Sequence, residues 1–159
     1  MRNILTLIIM FVSIVFSGNM AFADDQQEAL KFFKTYVNAA NSYSTSVENM
    51  YAPDAKIIRQ VVKPDGELVD VETDTNTYIK QMKLGRTGAR LKNYKNHYSD
   101  ISVVKVADGY KIDALRQPSG EKYKLKTYMI LQKQPSGNWL IVEEMMQTKV
   151  QTFLKYAKN

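Results

Sequence analysis

The sequence predicts an α+β fold in which three helices, all in the N-terminal half, pack on a strongly curved antiparallel sheet, in the order α-α-β-β-α-β-β-β-β. Three observations carry that reading. Apolar residues recur at three- and four-residue steps from Leu30 to Ala40, and again through Ile79, Met82 and Ala89, the period of a helix with one buried stripe. From about Asn93 the pattern changes to that of consecutive strands. Four segments, Pro64-Asp65-Gly66, Ala107-Asp108-Gly109, Pro118-Ser119-Gly120 and Pro135-Ser136-Gly137, share the chemistry of a type I turn closed by a left-handed glycine, which joins strands into hairpins.

In chain order, residues 1–23 carry Arg2, an apolar run from Ile4 to Phe16, and small residues at Ala21 and Ala23. This is the pattern of a secretory signal peptide cleaved after Ala23; the apolar run is short of the ~20 residues that a membrane-spanning helix needs. Residues 24–150 are expected to form a single domain, and 151–159 a C-terminal tail. The first helix spans Asp24–Asn41 and turns Leu30, Phe33, Val37 and Ala40 inward, with Phe32, Tyr36 and Ala39 widening the stripe. A shorter helix, Ser42–Met50, ends at Pro53, which launches a strand over Lys56–Val62. Glu67–Val71 returns as its hairpin partner. Thr73 or Asp74 caps a third helix reaching about Leu91, where Gly85 and Gly88 predict an irregular second half. A four-strand meander follows, over His97–Val106, Tyr110–Gln117, Glu121–Gln134 and Asn138–Lys149.

The 159-residue chain has a formal charge of +6 and no cysteine. Loss of Arg2 with the signal leaves 6 − 1 = +5. An exported chain without disulfides is stabilised by packing alone, which suits a periplasmic or secreted bacterial protein. The charge is too modest and scattered for a nucleic-acid binder. With one histidine and no cysteine there is no metal-ligand set. Gly85 and Gly88 match no phosphate-loop spacing, and there is no nucleophile elbow, so no cofactor is expected.

Turn chemistry sets register, and register sets faces. Pairing Gln134 with Asn138 places Leu131 opposite Ile141, Met129 opposite Glu143 and Thr127 opposite Met145. The same rule sets Leu115 against Tyr123, Asp113 against Leu125 and Val103 against Asp113. One face then carries Tyr123, Leu125, Thr127, Met129 and Met145 around Asp113 and Glu143. The other carries Tyr110, Ile112, Tyr128, Ile130, Val142 and Met146. We expect the Asp113 face to be concave, with Phe33 and Tyr36 of the first helix completing a pocket. The second face is too apolar for a plain outer surface and is expected to meet a second copy of the chain.

Two segments, Asn49-Met-Tyr-Ala-Pro-Asp-Ala-Lys-Ile57 and Gly137-Asn-Trp-Leu-Ile-Val-Glu143, resemble the helix-to-strand corner and the closing strand of the nuclear-transport-factor-2-like, or SnoaL-like, superfamily. The resemblance covers nearly all of residues 24–150. It implies a cone-shaped, cystatin-like fold with a pocket between helices and sheet, and often a dimer through the outer face. Members include isomerases, dehydratases and hydrolases as well as binding and scaffold domains, so the resemblance does not choose a function.

Asp113 is the leading candidate for a catalytic base, with Glu143 or Tyr123 assisting, because a carboxylate among apolar neighbours has its proton affinity raised. The plainer reading pairs Asp113 with Lys105 or Lys111. His97 lies on the same face but level with the Pro118 turn, as a solvated strand-end residue. If the faces are exchanged, Glu144, Tyr128 and Arg116 become the pocket set. Lys80, Lys83, Arg86 and Arg90 form a basic stripe on the third helix that can face solvent or an anionic envelope component. Three functions follow: an exported small-ligand-binding or accessory protein of the bacterial envelope, a cofactor-free isomerase, dehydratase or hydrolase, or a structural interaction domain whose cone is filled by its own side chains. An enzyme requires Asp113 to be reachable from a cavity with a second polar group converging on it.

Overall fold

A computed structural model describes residues 15–157, with side chains from residue 24 onward. Residues 1–14, the larger part of the expected signal peptide, and the last two residues of the tail lie outside the described residues. Among the described residues no helix is long and apolar enough to cross a membrane.

Helix α1 (Val15–Asn41) is followed by a 3-10 helix (Thr45–Met50), strands β1 (Tyr51–Val62) and β2 (Leu68–Thr73), helix α2 (Thr75–Leu91) and strands β3 (Asn96–Val106), β4 (Gly109–Pro118), β5 (Leu125–Lys133) and β6 (Trp139–Thr148). A second 3-10 helix, Gln151–Tyr156, gives the expected tail a fold of its own, tied to β1 by the Gln151 amide on the Val62 carbonyl. The six strands form one sheet in the order β2-β1-β6-β5-β4-β3. Every neighbouring pair is antiparallel except β1 with β6, which run parallel. The predicted order of elements is the one observed.

The helices cover one face of the sheet. Ala29, Phe33 and Tyr36 of α1 are buried in a core with Ile57, Tyr110, Ile112, Met129, Leu131 and Ile141. Helix α2 is capped by Asp74, whose carboxylate accepts from the Thr77 amide, and is docked by Thr75, whose hydroxyl bonds the carbonyls of Ala52 and Ala55. It runs unbroken through Gly85 and Gly88, contrary to the expected irregularity, because both glycines face open space and cost only propensity.

All four glycine segments do form turns, but three local irregularities alter what they imply. Val106 pairs with Gly109, so Ala107-Asp108 is a two-residue loop and Val103 faces Ile112 rather than Asp113. Gly109 is needed there for space, since a Cβ would lie 1.9 Å from the Leu131 carbonyl oxygen. Gly120 is left-handed as expected, yet residues 121–124 stay outside the sheet and Asp113 pairs with Tyr128 instead of Leu125. In the last hairpin, Gly137 is left-handed and Leu131 does face Ile141. Val142 is then an extra residue on β6, so Ile130 faces Glu143, Met129 faces Glu144 and Thr127 faces Met146.

Each shift is odd, of one, three and one residues, and an odd shift exchanges the two faces of a strand. Strand β5 therefore keeps its expected inner residues, whereas β4 and the end of β6 are turned over. Tyr110 and Ile112, expected at a dimer face, lie in the core at 2% and 0% exposure. Val142 packs against that core and Met146 points toward the helices; of the expected dimer set, Tyr128 and Ile130 remain on the outer face.

Candidate functional site

Where α1, the first 3-10 helix, α2 and the inner side of the sheet converge, they line an open-mouthed cavity of about 320 Å³, within the range of small-molecule sites. Its walls include Tyr36, Val47, Tyr78, Met82, Tyr98 and Met146, with Asn96, Arg86 and Arg116 as polar members. Each is there for a local reason. Tyr36 continues the buried stripe of α1. Val47 is the buried residue of a 3-10 helix capped by the Ser44 hydroxyl on the Ser46 amide. Tyr98 and Arg116 face each other across β3 and β4, and Met146 lies on the inner side because of the Val142 bulge.

Behind Tyr36 and Tyr78 lies a buried polar cluster. Glu144 has 0% exposure. One of its carboxylate oxygens accepts from Arg59 at 2.9 Å; the other accepts from Tyr51 at 2.5 Å and from Tyr36 at 3.4 Å. The Tyr36 and Tyr51 hydroxyls are 3.0 Å apart, and the Arg59 guanidinium lies 4.6 Å from the centre of the Tyr78 ring. Burial, and then the Glu144 charge, hold the Tyr36 and Tyr51 phenols well above their ordinary pKa, so both stay protonated as donors. Glu144 itself is not part of the cavity wall. It is a satisfied buried ion pair that cross-links α1, β1 and β6.

The expected catalytic residues are not brought to the cavity: Asp113 and Glu143 lie on the outer face, on the two strands that flank Tyr128. Asp113 projects from the outer face, its side chain 43% exposed and 2.8 Å from Lys111. Glu143 is also outside, accepting from Tyr128 at 2.5 Å. His97 is exposed opposite Gln117. Tyr123 sits in the segment before β5 under the Lys149 ammonium. Leu125, Thr127 and Met129 do face inward, but as packed core beneath the cavity, and Thr127 is held by the Met145 carbonyl. Met145 pairs with Tyr128 on the other face. Phe33 lines a separate 230 Å³ cleft with Tyr98 and Ile101. On α2, Lys83 and Arg86 both engage Glu48, and Arg90 lies over the Tyr43 ring, so much of the basic stripe is used within the chain.

Of the exchanged-face alternative, Glu144 and Arg116 are indeed interior, while Tyr128 is not. Arg59 is absent from the sequence-based set, although the period of β1 carries its signal: Ile57, Arg59 and Val61 share one side of a strand whose other two members are fully buried. A further concavity of about 640 Å³ lies between β1, β2, α2 and the C-terminal 3-10 helix. Its walls carry the Lys56–Glu72 pair, half exposed on both sides, so it has the character of a wet surface groove.

No family model matches the sequence, and no curated protein matches it. Solved structures do match the fold. An NTF2-like protein of unknown function from Pseudomonas putida KT2440 superposes with a TM-score of 0.63 at 11% identity, over 79% of this chain and 87% of that one. An NTF2-like protein with a cystatin-like fold from Novosphingobium aromaticivorans gives 0.57 at 11% identity, over 92% and 90%. An NTF2-like family member from Streptomyces avermitilis, provisionally assigned as a dehydratase, gives 0.60 at 7% identity, over 80% and 98%.

Proposed function

Taking the nuclear-transport-factor-2-like fold as its frame, we propose that this chain is an exported binding or accessory protein of the bacterial envelope that holds a small ligand in the 320 Å³ cavity. The composition of the wall is the observation that supports it. Tyrosines, methionines, Val47 and three side chains rich in hydrogen-bond donors surround the space, and no carboxylate or histidine is among the residues that line it. Such a wall can bind and orient an apolar molecule, but it offers no general base of the ordinary kind. Asp113 and Glu143, on which an isomerase or dehydratase reading rests, lie on the far side of the sheet.

Export fits the arrangement of the N-terminal helix. Asp25 and Glu28 anchor it to Lys133, and Glu28 also accepts from Trp139, so a chain beginning at Asp24 keeps these contacts. We assign the outer face around Tyr128 and Ile130 to a second copy, a reading that sedimentation across a concentration series tests directly.

The ligand itself is sought by native mass spectrometry of protein purified from its own envelope, beside an Ala89→Phe variant that fills the cavity from α2. A small molecule bound to the first and missing from the second is expected. Both proteins empty at the mass of the bare chain would overturn the binding reading in favour of a filled scaffold. The same spectrum reads the N-terminus, expected at Asp24.

A further inference from the structure

Among the described residues Arg59, Arg86 and Arg116 reach into the interior, and their charges are not balanced alike. Arg59 is matched by Glu144, and Arg86 is paired with Glu48, which it shares with the exposed Lys83. Arg116 is only 4% exposed and forms no ion pair among the described residues. Its Nη1 donates to the Asn96 side-chain oxygen at 2.8 Å and, more weakly, to the Tyr94 hydroxyl at 3.5 Å; its Nη2 donates to the Gln147 carbonyl at 2.7 Å. A guanidinium has five N–H donors. With three engaged, 5 − 3 = 2 remain, one on Nη2 and the one on Nε, and Nε is buried with no hydrogen-bond partner among the described residues.

A buried cation whose acceptors are all neutral and whose donors are not all engaged is an unfinished site, because a charge withdrawn from water is stabilised only by a counter-charge or a full set of hydrogen bonds. The fork of a guanidinium is matched in shape by a carboxylate. Arg116 is also part of the cavity wall, whose remaining members are largely aromatic or aliphatic. We propose that Arg116 is the anchor for an anionic ligand, and that the cavity takes a small apolar monocarboxylate, its hydrocarbon part among Tyr36, Tyr78, Met82 and Met146. One uncompensated positive charge calls for one negative charge. The inference rests on the cavity being a binding site and names the class of molecule that fills it.

Matched pairs differing only in the head group test it: 3-phenylpropionate against 3-phenylpropanamide, and octanoate against octanamide, titrated calorimetrically into the purified protein. At least one acid should bind tenfold or more tightly than its amide, with the preference shrinking as salt rises. Arg116→Met should abolish that preference, and Arg116→Lys should retain part of it. Equal affinity of acid and amide in the native protein overturns the anchor while leaving the cavity a binding site. If neither acids nor amides bind, the monocarboxylate assignment is overturned, and an empty cavity in the native mass spectrum separately removes the binding reading. Because the acid-to-amide comparison is made on the native chain, it remains decisive even if the arginine variants misfold.

Discussion

Tyr51 donates a 2.5 Å hydrogen bond to Glu144, joining the first residue of β1 to a carboxylate 93 positions later that has no exposure to water. The bond exists because Val142 bulges: without the extra residue, Glu143 would occupy the inner face in place of Glu144. Removing Glu144 leaves Arg59 buried without a counter-charge, so Glu144→Ala is expected to destabilise the fold by about 3–5 kcal/mol. Tyr51→Phe, which removes one bond to a charged acceptor, should cost about 1.5–3 kcal/mol. Urea denaturation of the three proteins gives both values, and a Glu144→Ala loss below that of Tyr51→Phe would show that the pair is not the lock described.

The same cluster sets how stability responds to alkali. Burial and the neighbouring Glu144 charge raise the Tyr36, Tyr51 and Tyr78 phenols above their ordinary value. In the unfolded chain these groups ionise near pH ~10, while in the folded chain they remain protonated. Their contribution is therefore complete below pH ~10 and is lost as pH rises from there toward the folded values. Each phenol still protonated contributes a slope of about 1.4 kcal/mol per pH unit in that window. Denaturation midpoints measured from pH ~8 to ~11 should fall less steeply for Tyr51→Phe than for the native chain, the lysine background being common to both.

Asp113 and Glu143 should prove dispensable for the cavity. The Asp113–Lys111 pair is more than one-third exposed at Asp113 and about as open at Lys111, the kind of surface contact whose removal changes stability by about 0–1 kcal/mol. Asp113→Asn and Glu143→Gln are expected to leave ligand affinity within a factor of two. A tenfold loss from either would place the binding surface on the outer face of the sheet.

Those two residues also show what the sequence could and could not convey. Helix stripes and all four glycine turns are legible because each depends on residues close in the chain; the helix-to-strand change is legible too, although β1 begins at Tyr51 and takes Pro53 into the strand. Whether Ala107-Asp108 closes as a loop of two or three, whether residues 121–124 join a strand, and whether β6 carries a bulge depend on contacts between strands. Gly109 pressing on Leu131 and Ser119 binding Lys95 are such contacts. Each odd error of register inverts a face, so nearly correct turns produce an inverted site on β4 and β6 and a correct inner face on β5. Arg59 does not depend on those registers, since the alternation of its own strand places it beside Ile57 and Val61.

Glycines give the last test, because two of them in one chain should respond to the same substitution with opposite signs. At Gly109 a methyl group would meet the Leu131 carbonyl oxygen at 1.9 Å, and backbone on a central strand cannot step aside as a flexible side chain does. Gly109→Ala must part β4 from β5 or distort the turn, and should lose at least about 2 kcal/mol, in the range of overpacked or strained sites. Gly88 sits inside α2 with nothing within 4 Å of the added carbon and an ordinary helical backbone. Gly88→Ala should therefore stabilise by about 0.5–1 kcal/mol through helix propensity and a less flexible unfolded chain. Thermal melts of the two variants decide the point. A stabilising Gly109→Ala would mean that the two-residue turn and the register that follows from it are wrong, and with them the outward placement of Asp113.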